Sequence, residues 1–528
     1  MWWIFFPALI IAAVSSVGKP HEQVRPACNT FQGTVQAPCQ SEELALEDIR
    51  RLSQKQLERQ LKGAAIERLH WTSTIGGERA HHDFTIGIAE FDDQGNAWDR
   101  DQVEAVKASL TTVLQRSTTA LVVVFIHGWK NNCEACNGDL KCIREALALL
   151  AASEKQVAAH FKIQPREVFG LYIGWRGATT TVAVAKETTF FDRKAVADRI
   201  GGSRGGDMTN LLSWVDTVTA PTGRARVAPF DPVRLRSMVA YVGHSFGADL
   251  LFGTVANPLD AAIAAAPPKT PVQALGDVLV LVNPAFEASA YRRFGEYAKQ
   301  SWPPGQRPLM LTVQARNDWA THYTFPASRT IATLGQASGG GSGYREMLDA
   351  LGHHEPYYTH HLDRPPASAE AVGTLRTLVS AEMKTRPDEN FGALIETMGS
   401  KRSGEKCACD KIRAWDATLA VLVQSVIAAA ENPVPGEIGS PLVGFASRMV
   451  PCQPAGRDPN PGSPFLTIRT TADIVDGHSG IMRLEFFDFL ANFLVRVDQI
   501  RQPEMFGALS KSAASNPAPA NTTIEACR

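Results

Sequence analysis

Net charge is almost absent from this chain of 528 residues, in which 53 lysines and arginines face 54 aspartates and glutamates. Such a balance gives no reason to expect a nucleic acid or an acidic surface as partner. No internal repeat is present, so a solenoid or propeller array is excluded. A membrane-spanning run is also missing from the apolar stretch "WWIFFPALIIAAVSSV" at residues 2–17. It falls short of the about 20 apolar residues that a spanning helix needs, and suits the core of a signal peptide ending near residue 18. No basic residue precedes Lys19, so an uncleaved anchor stays open beside a cleaved leader. Either reading predicts an exported protein, periplasmic or secreted, with membrane association through the N-terminus if the leader is retained.

Paired zinc knuckles are lacking too. Nine cysteines lie at 28, 39, 133, 136, 142, 407, 409, 452 and 527, and only Cys133-x-x-Cys136 has the knuckle spacing. Disulfides are the simpler expectation in an exported chain, and the odd count leaves at least one thiol unpaired or joined between chains. What is plentiful is ordinary globular material, with 44% hydrophobic and 20% charged residues, enough for a large core.

Short apolar runs alternate with amphipathic helical patterns along the chain. "ALVVVFI" at residues 120–126 reads as a strand buried on both faces, as do "EVFGLYIG", "MVAYV", "DVLVLV" and "LMLTVQA". "LKCIREALALLAASEKQVAAHF" and the run at residues 415–431 read as helices, and residues 42–61 have a charged helical pattern. Alternation of this kind predicts an α/β fold with a mostly parallel sheet covered by helices on both faces. Expected boundaries are an N-terminal extension at 19–80, a main domain at 81–500 and a loose tail at 501–528. The less regular stretch at 321–463 is expected to cap the domain or insert beside it, with "GQASGGGSG" as a flexible segment.

"GHSFG" (residues 243–247) sits where a strand-like run gives way to a helix-like one. A sharp strand-to-helix turn of this kind exposes the residue at its tip, and flanking glycines let strand and helix pass closely. Ser245 is therefore the candidate nucleophile. Nucleophilic catalysis also needs a base, an acid to orient it and donors for the developing oxyanion. The backbone N–H groups of Phe246 and of Trp129, in "HGW" after the 120–126 strand, are the candidate donors. Asp318 in "ARNDWATHY", two strands after the serine strand, is the expected acid, with Glu287 as rival. His478, in the loop between the last strand and the last helix, is the expected base. The rival site is His353 in "GHHEPYYTHHLD", a cluster whose spacing also allows a metal. His127, Trp175 and Arg176, at strand ends, are candidate substrate-binding residues, and Trp129, Phe190, Phe191 and Trp319 are candidate linings of an apolar pocket.

Taken in order, His127-Gly128-Trp129, Gly243-His244-Ser245-Phe246-Gly247, Asp318 and His478 resemble the α/β-hydrolase superfamily, in particular its lipase- and esterase-like members. The resemblance covers roughly residues 120–497. "FIHGWKNN", "YIGWRG", "VNPAFEA" and "NDWAT" are further similar to a group of bacterial hydrolase-like proteins. It implies an α/β-hydrolase fold, a Ser245–His478–Asp318 triad, no metal or organic cofactor, and cleavage of a small-molecule or lipid carboxylic ester. An amidase or thioesterase using the same triad, and a non-catalytic binding protein on that scaffold, remain alternatives.

Overall fold

The computed structural model describes residues 40–61, 64–75, 78–117, 119–177, 190–203, 206–220, 231, 233–333, 336, 341–365, 407, 409, 415–431, 439–453, 460, 462–510 and 525–526. The apolar leader and most of the glycine-rich segment at 335–343 therefore lie outside the described residues.

Strand β1 (Gln40–Ala45) opens the chain, followed by short helices α1 (Leu46–Arg51) and α2 (Gln54–Gln60) and long strands β2 (Ala64–Ile75) and β3 (Glu78–Glu90). Next come α3 (Arg100–Ser117), β4 (Ala120–Ile126), α4 (Gly138–Phe161), β5 (Glu167–Gly174), α5 (Phe190–Gly202) and α6 (Asp207–Thr219). The centre of the chain forms β6 (Met238–His244), α7 (Phe246–Ala265), β7 (Val278–Val282), α8 (Ala288–Tyr297) and β8 (Met310–Ala315). A π-helical turn (Ala320–Thr324) then runs into α9 (Phe325–Ala332), α10 (Gly341–Leu348) and β9 (His360–Asp363). The remaining elements are α11 (Trp415–Glu431), β10 (Leu442–Val443), β11 (Arg448–Gln453), β12 (Phe465–Thr470), α12 (Leu484–Arg501), α13 (Pro503–Ser510) and β13 (Glu525–Ala526).

Twelve strands join in the order β1-β2-β3-β5-β4-β6-β7-β8-β12-β9-β11-β10, and β13 pairs with β11. From β3 through β9 in this order every neighbouring pair is parallel, while β2–β3, β9–β11 and β10–β11 are antiparallel. The expected α/β architecture with a mostly parallel sheet is thus present. Along the central strands, alternate side chains enter two separate cores. In β4, Leu121 and Phe125 join one, and Val122, Val124 and Ile126 join the other. The apolar runs lack polar alternation because both faces are covered.

The chain runs from β4 back to β5 on one side and then crosses to β6 on the other. A crevice therefore opens between the carboxyl ends of β4 and β6, where open α/β sheets place their ligands.

Three expectations change. Residues 42–61 are not one helix: β1 lies on the sheet edge beside β2, so the sheet begins at Gln40 and not after an extension ending at 80. Within 321–463, β9, β11 and β10 extend the sheet beyond β12, and α11 packs on α4 and α12. The tail is also ordered at its start, since α13 buries Met505 and Phe506 against Leu235 and Ala430.

Disulfides Cys136–Cys407 and Cys142–Cys409 fasten this later region to the start of α4, with Cα separations of 5.0 and 4.7 Å. They fit an oxidising compartment and take Cys136, one of the two cysteines with the knuckle spacing. No helix among the described residues is long and apolar enough to cross a membrane.

Candidate active site

Ser245 occupies the turn between β6 and α7 with φ 58° and ψ −122°, backbone angles that an L-residue adopts only when its surroundings enforce them. Its N–H donates to the Val282 carbonyl at 3.0 Å, which fastens the turn to β7. The neighbouring glycines are there for clearance. A Cβ at Gly243 would stand 2.7 Å from the Ala248 Cα, and one at Gly247 would stand 2.6 Å from the His127 carbonyl oxygen. No flexible side-chain end could give way, so the strand-turn-helix approach requires glycine at both positions.

Residues from three loops converge on Ser245. His478, in the loop between β12 and α12, places Nε2 2.7 Å from the Ser245 Oγ and Nδ1 2.8 Å from an Asp318 oxygen. A carboxylate can only accept, so Nδ1 carries the proton and donates it to Asp318, leaving Nε2 to accept from the serine hydroxyl. Asp318 follows β8 and is fully buried. Its Oδ1 accepts the N–H groups of Ala320 and Thr321 at 3.0 and 3.2 Å; its Oδ2 accepts from Gln314 Nε2, the Thr321 hydroxyl and His478. Burial alone would raise this carboxyl, but the hydrogen bond and charge of His478, with the Thr321 donors, hold it well below the usual carboxylate range.

Two side chains that the sequence did not single out fix the His478 loop. His244 Nε2 donates to the His478 carbonyl at 2.8 Å, and Asn283 Nδ2 donates to the Gly477 and His478 carbonyls at 3.1 and 2.8 Å. Asn283 has φ 45°, a conformation asparagine tolerates better than most residues, and its Oδ1 accepts the Ala315 N–H. It thereby ties the ends of β7 and β8 to the histidine loop. Their places in "GHS" and "VNP" look like ordinary turn positions, and only the tertiary contact shows what they hold.

The loop at 127–129 lies directly against the serine, because a Cβ at Gly128 would come within 2.8 Å of the Ser245 Cβ. That contact brings the loop carrying Trp129 against Ser245. Phe246 opens α7, where an N–H has no intrahelical acceptor. Phe246 and the loop that carries Trp129 therefore border Ser245.

The three expected substrate-binding side chains are engaged inside the protein. His127 is fully buried, stacked on Tyr172 and Trp175, with Nδ1 donating to the Gly128 carbonyl and Nε2 accepting the Trp175 N–H. Burial lowers its pKa to about 4, so it is neutral at physiological pH and braces its own loop. Trp175 is buried and donates its indole N–H to the His127 carbonyl. Arg176 is ion-paired with Asp93, which Arg193 also contacts. His127 and Trp175 thus pack and hydrogen-bond within their own loops, and Arg176, a quarter exposed, is held by its ion pair with Asp93.

The rival acid and base are likewise placed elsewhere. Glu287 pairs with Lys194 at 3.1 Å and Arg329 at 2.7 Å. His353 reaches Asp318 only through the Thr321 hydroxyl, 3.0 Å from its Nε2. The remaining histidines of that cluster do not converge: His354 bonds Asp349, His360 bonds the Gly439 carbonyl and His361 meets Arg316. Among the described residues no group of three or more His, Cys, Asp or Glu is disposed to hold a metal ion.

An aromatic cluster borders the crevice. Phe190 packs on Trp129, Phe246, Phe325 and Phe191, with ring centroids 5.1–6.3 Å apart. Trp319, next to Asp318, is 67% exposed, and Tyr323 is 60% exposed. Comparisons with protein-family models, with curated proteins and with solved structures find no match to this chain.

Proposed function

We propose that the protein is a serine hydrolase of α/β-hydrolase type that cleaves carboxylic esters through an acyl-enzyme. One observation carries the proposal: a continuous Ser245 Oγ–His478 Nε2 and His478 Nδ1–Asp318 contact, at 2.7 and 2.8 Å, at the carboxyl ends of parallel strands. The chain order Ser, Asp, His and the strained turn at Ser245 support the superfamily reading.

In this reaction Ser245 Oγ attacks the ester carbonyl carbon while its proton passes to His478 Nε2. The carbonyl oxygen becomes an oxyanion held by the N–H groups of Phe246 and Trp129. Asp318 stabilises the imidazolium without taking its proton. Collapse of the tetrahedral intermediate breaks the carbon–oxygen bond to the alcohol, which leaves with the proton from His478. Water then attacks the acyl-serine by the same route, releasing the acid and restoring the serine hydroxyl. The exposed Trp319 and Tyr323 beside Asp318 favour an apolar acyl group, because such side chains in water gain from covering by apolar surface.

The direct test is hydrolysis of p-nitrophenyl esters of graded acyl length by the full chain made in an oxidising compartment, with Ser245→Ala as control. A turnover that disappears in the variant supports the reading. Equal background rates from two folded proteins would overturn it.

Gly128 supplies a further expected outcome. In Gly128→Ala the new Cβ meets the Ser245 Cβ at 2.8 Å and the His244 carbonyl at 3.0 Å, neither of which can swing aside. The loop must retreat and carry the Trp129 N–H with it. Removal of one oxyanion donor costs about 10²–10³ in turnover, so kcat should fall by a factor in that range while KM changes little. A variant with wild-type kcat would show that the loop at 127–129 takes no part in the chemistry.

A further inference from the structure

Asp318 is held from behind by a second set of polar side chains that the hydrolytic mechanism does not use. Thr321 is 1% exposed and hydrogen-bonds both Asp318 oxygens, through its backbone N–H and through its hydroxyl. Gln314 Nε2 reaches Asp318 Oδ2 and the Thr321 Oγ at 3.1 Å each. His353 Nε2 lies 3.0 Å from the same Thr321 Oγ, and His322 Nδ1 lies 3.2 Å from His353 Nδ1.

The direction of every proton in this chain follows from one fixed end. Asp318, as a carboxylate, only accepts, so the single Thr321 hydroxyl proton points to it. The Thr321 oxygen must then accept, and Nε2 of His353 must carry a proton. Nδ1 of the neutral ring is left as an acceptor, for which His322 supplies Nδ1–H. Donors thus run from His322 through His353 and Thr321 to Asp318, opposite to those that run from Ser245 through His478. Both series end on the same carboxylate.

We propose that Thr321 and His353 are positioning residues of the triad, which orient the Asp318 carboxylate and draw charge from it so that His478 is held in line with Ser245. The proposal rests on the hydrolase reading for its consequence in turnover, but its geometric part concerns Asp318 and His478 alone. Groups facing His353 from the surrounding elements are His322 and Asp318, with Arg469 from β12 and Asp349 ahead of the 351–353 turn. Burial, followed by the charge of His322, lowers the His353 pKa to about 4, so the donor pattern persists through the neutral range.

Thr321→Val removes the hydroxyl at near-constant volume and leaves the backbone N–H bond intact. His353→Leu removes the donor to Thr321, whereas Thr321→Ser and His353→Gln keep a hydroxyl and an N–H donor. Loss of a hydrogen bond to a charged group should lower kcat about 10- to 100-fold in Thr321→Val with KM nearly unchanged, and Thr321→Ser should recover most of it. Without that donor the carboxylate is a stronger partner for the imidazolium, so the His478 titration should move to higher pH. His353→Leu should move it the same way by less, and His353→Gln should restore it.

The titration is read by NMR on the full chain labelled in histidine, which needs no substrate. A shifted His478 titration together with reduced kcat supports the proposal. An unmoved titration in both Thr321→Val and His353→Leu overturns it, whatever happens to thermal stability. If the wild-type protein turns over no ester but the His478 titration still shifts, the positioning role stands and the hydrolase reading fails.

Discussion

Asp318→Asn should reduce kcat by about four orders of magnitude with KM nearly unchanged. An amide at this position can present its NH2 to His478, which favours the imidazole tautomer with its proton on Nε2 and removes the acceptor that Ser245 needs. Loss of triad tautomer control of this kind is worth about 10⁴ in turnover. The environment of Asp318 makes the change severe, because its two oxygens accept from Ala320, Thr321, Gln314 and His478 in a fully buried site. The asparagine NH2 would also face the Gln314 NH2 or the Thr321 hydroxyl proton, with no acceptor between them.

A stability effect accompanies it. The Asp318 carboxyl is lowered in the folded protein, so its contribution is present above the ordinary carboxylate pKa and fades as pH falls through and below that value. The asparagine variant should therefore lose stability at neutral pH and show a weaker dependence on acid over that window. Steady-state kinetics and thermal denaturation between pH 3 and 7 check both parts. A loss of only a few fold would remove Asp318 from the triad.

Glu67→Leu should destabilise the fold by about 3–5 kcal/mol, the usual cost of leaving one member of a buried ion pair without its partner. Glu67 points inward from β2 and meets Arg144 of α4 through two hydrogen bonds of 2.7 and 2.8 Å, with side chains 0% and 1% exposed. Arg144 also donates to the Ala135 carbonyl, beside the disulfide-bonded Cys136. The leucine would strand a guanidinium in the core. Glu67→Leu combined with Arg144→Met should recover much of the loss, since an apolar pair of similar volume needs no such compensation. Urea denaturation of the two variants measures the difference. Equal midpoints for Glu67→Leu and the wild-type protein would contradict the account of this core.

The same glutamate explains why part of the fold was hidden in the sequence. Strands β4 and β7 are continuous apolar runs and β6 and β8 are largely apolar, so all four were legible directly, with β4 matching its expected boundaries residue for residue. "AAIERLHWTSTI" was not legible as β2, because an inward glutamate whose partner is 77 residues away breaks the apolar pattern. β9 and β10, of four and two residues, are too short to show a period.

At the site, the serine turn was legible because its requirements are local: two glycines, a strand before and a helix after. His478 and Asp318 were found by their place after particular strands, and the structure brings both to Ser245. The internal contacts of His127, Trp175 and Arg176 were not legible, because an aromatic or basic residue at a strand end looks the same in sequence whether it meets a ligand or packs on its own loop. Asn283 and His244, which grip the His478 carbonyl, carry no local pattern that separates them from ordinary turn residues.

The central claim, that Ser245 is an activated nucleophile, is tested most directly by treating the folded full chain with a fluorophosphonate probe and locating the adduct by peptide mass mapping. Attack on the probe requires the His478 base but no knowledge of the natural ester. The account predicts a single adduct on Ser245, absent in Ser245→Ala and nearly absent in His478→Ala, while His353→Gln labels normally. Folded protein that takes up no label, or carries it on another residue, would contradict the account.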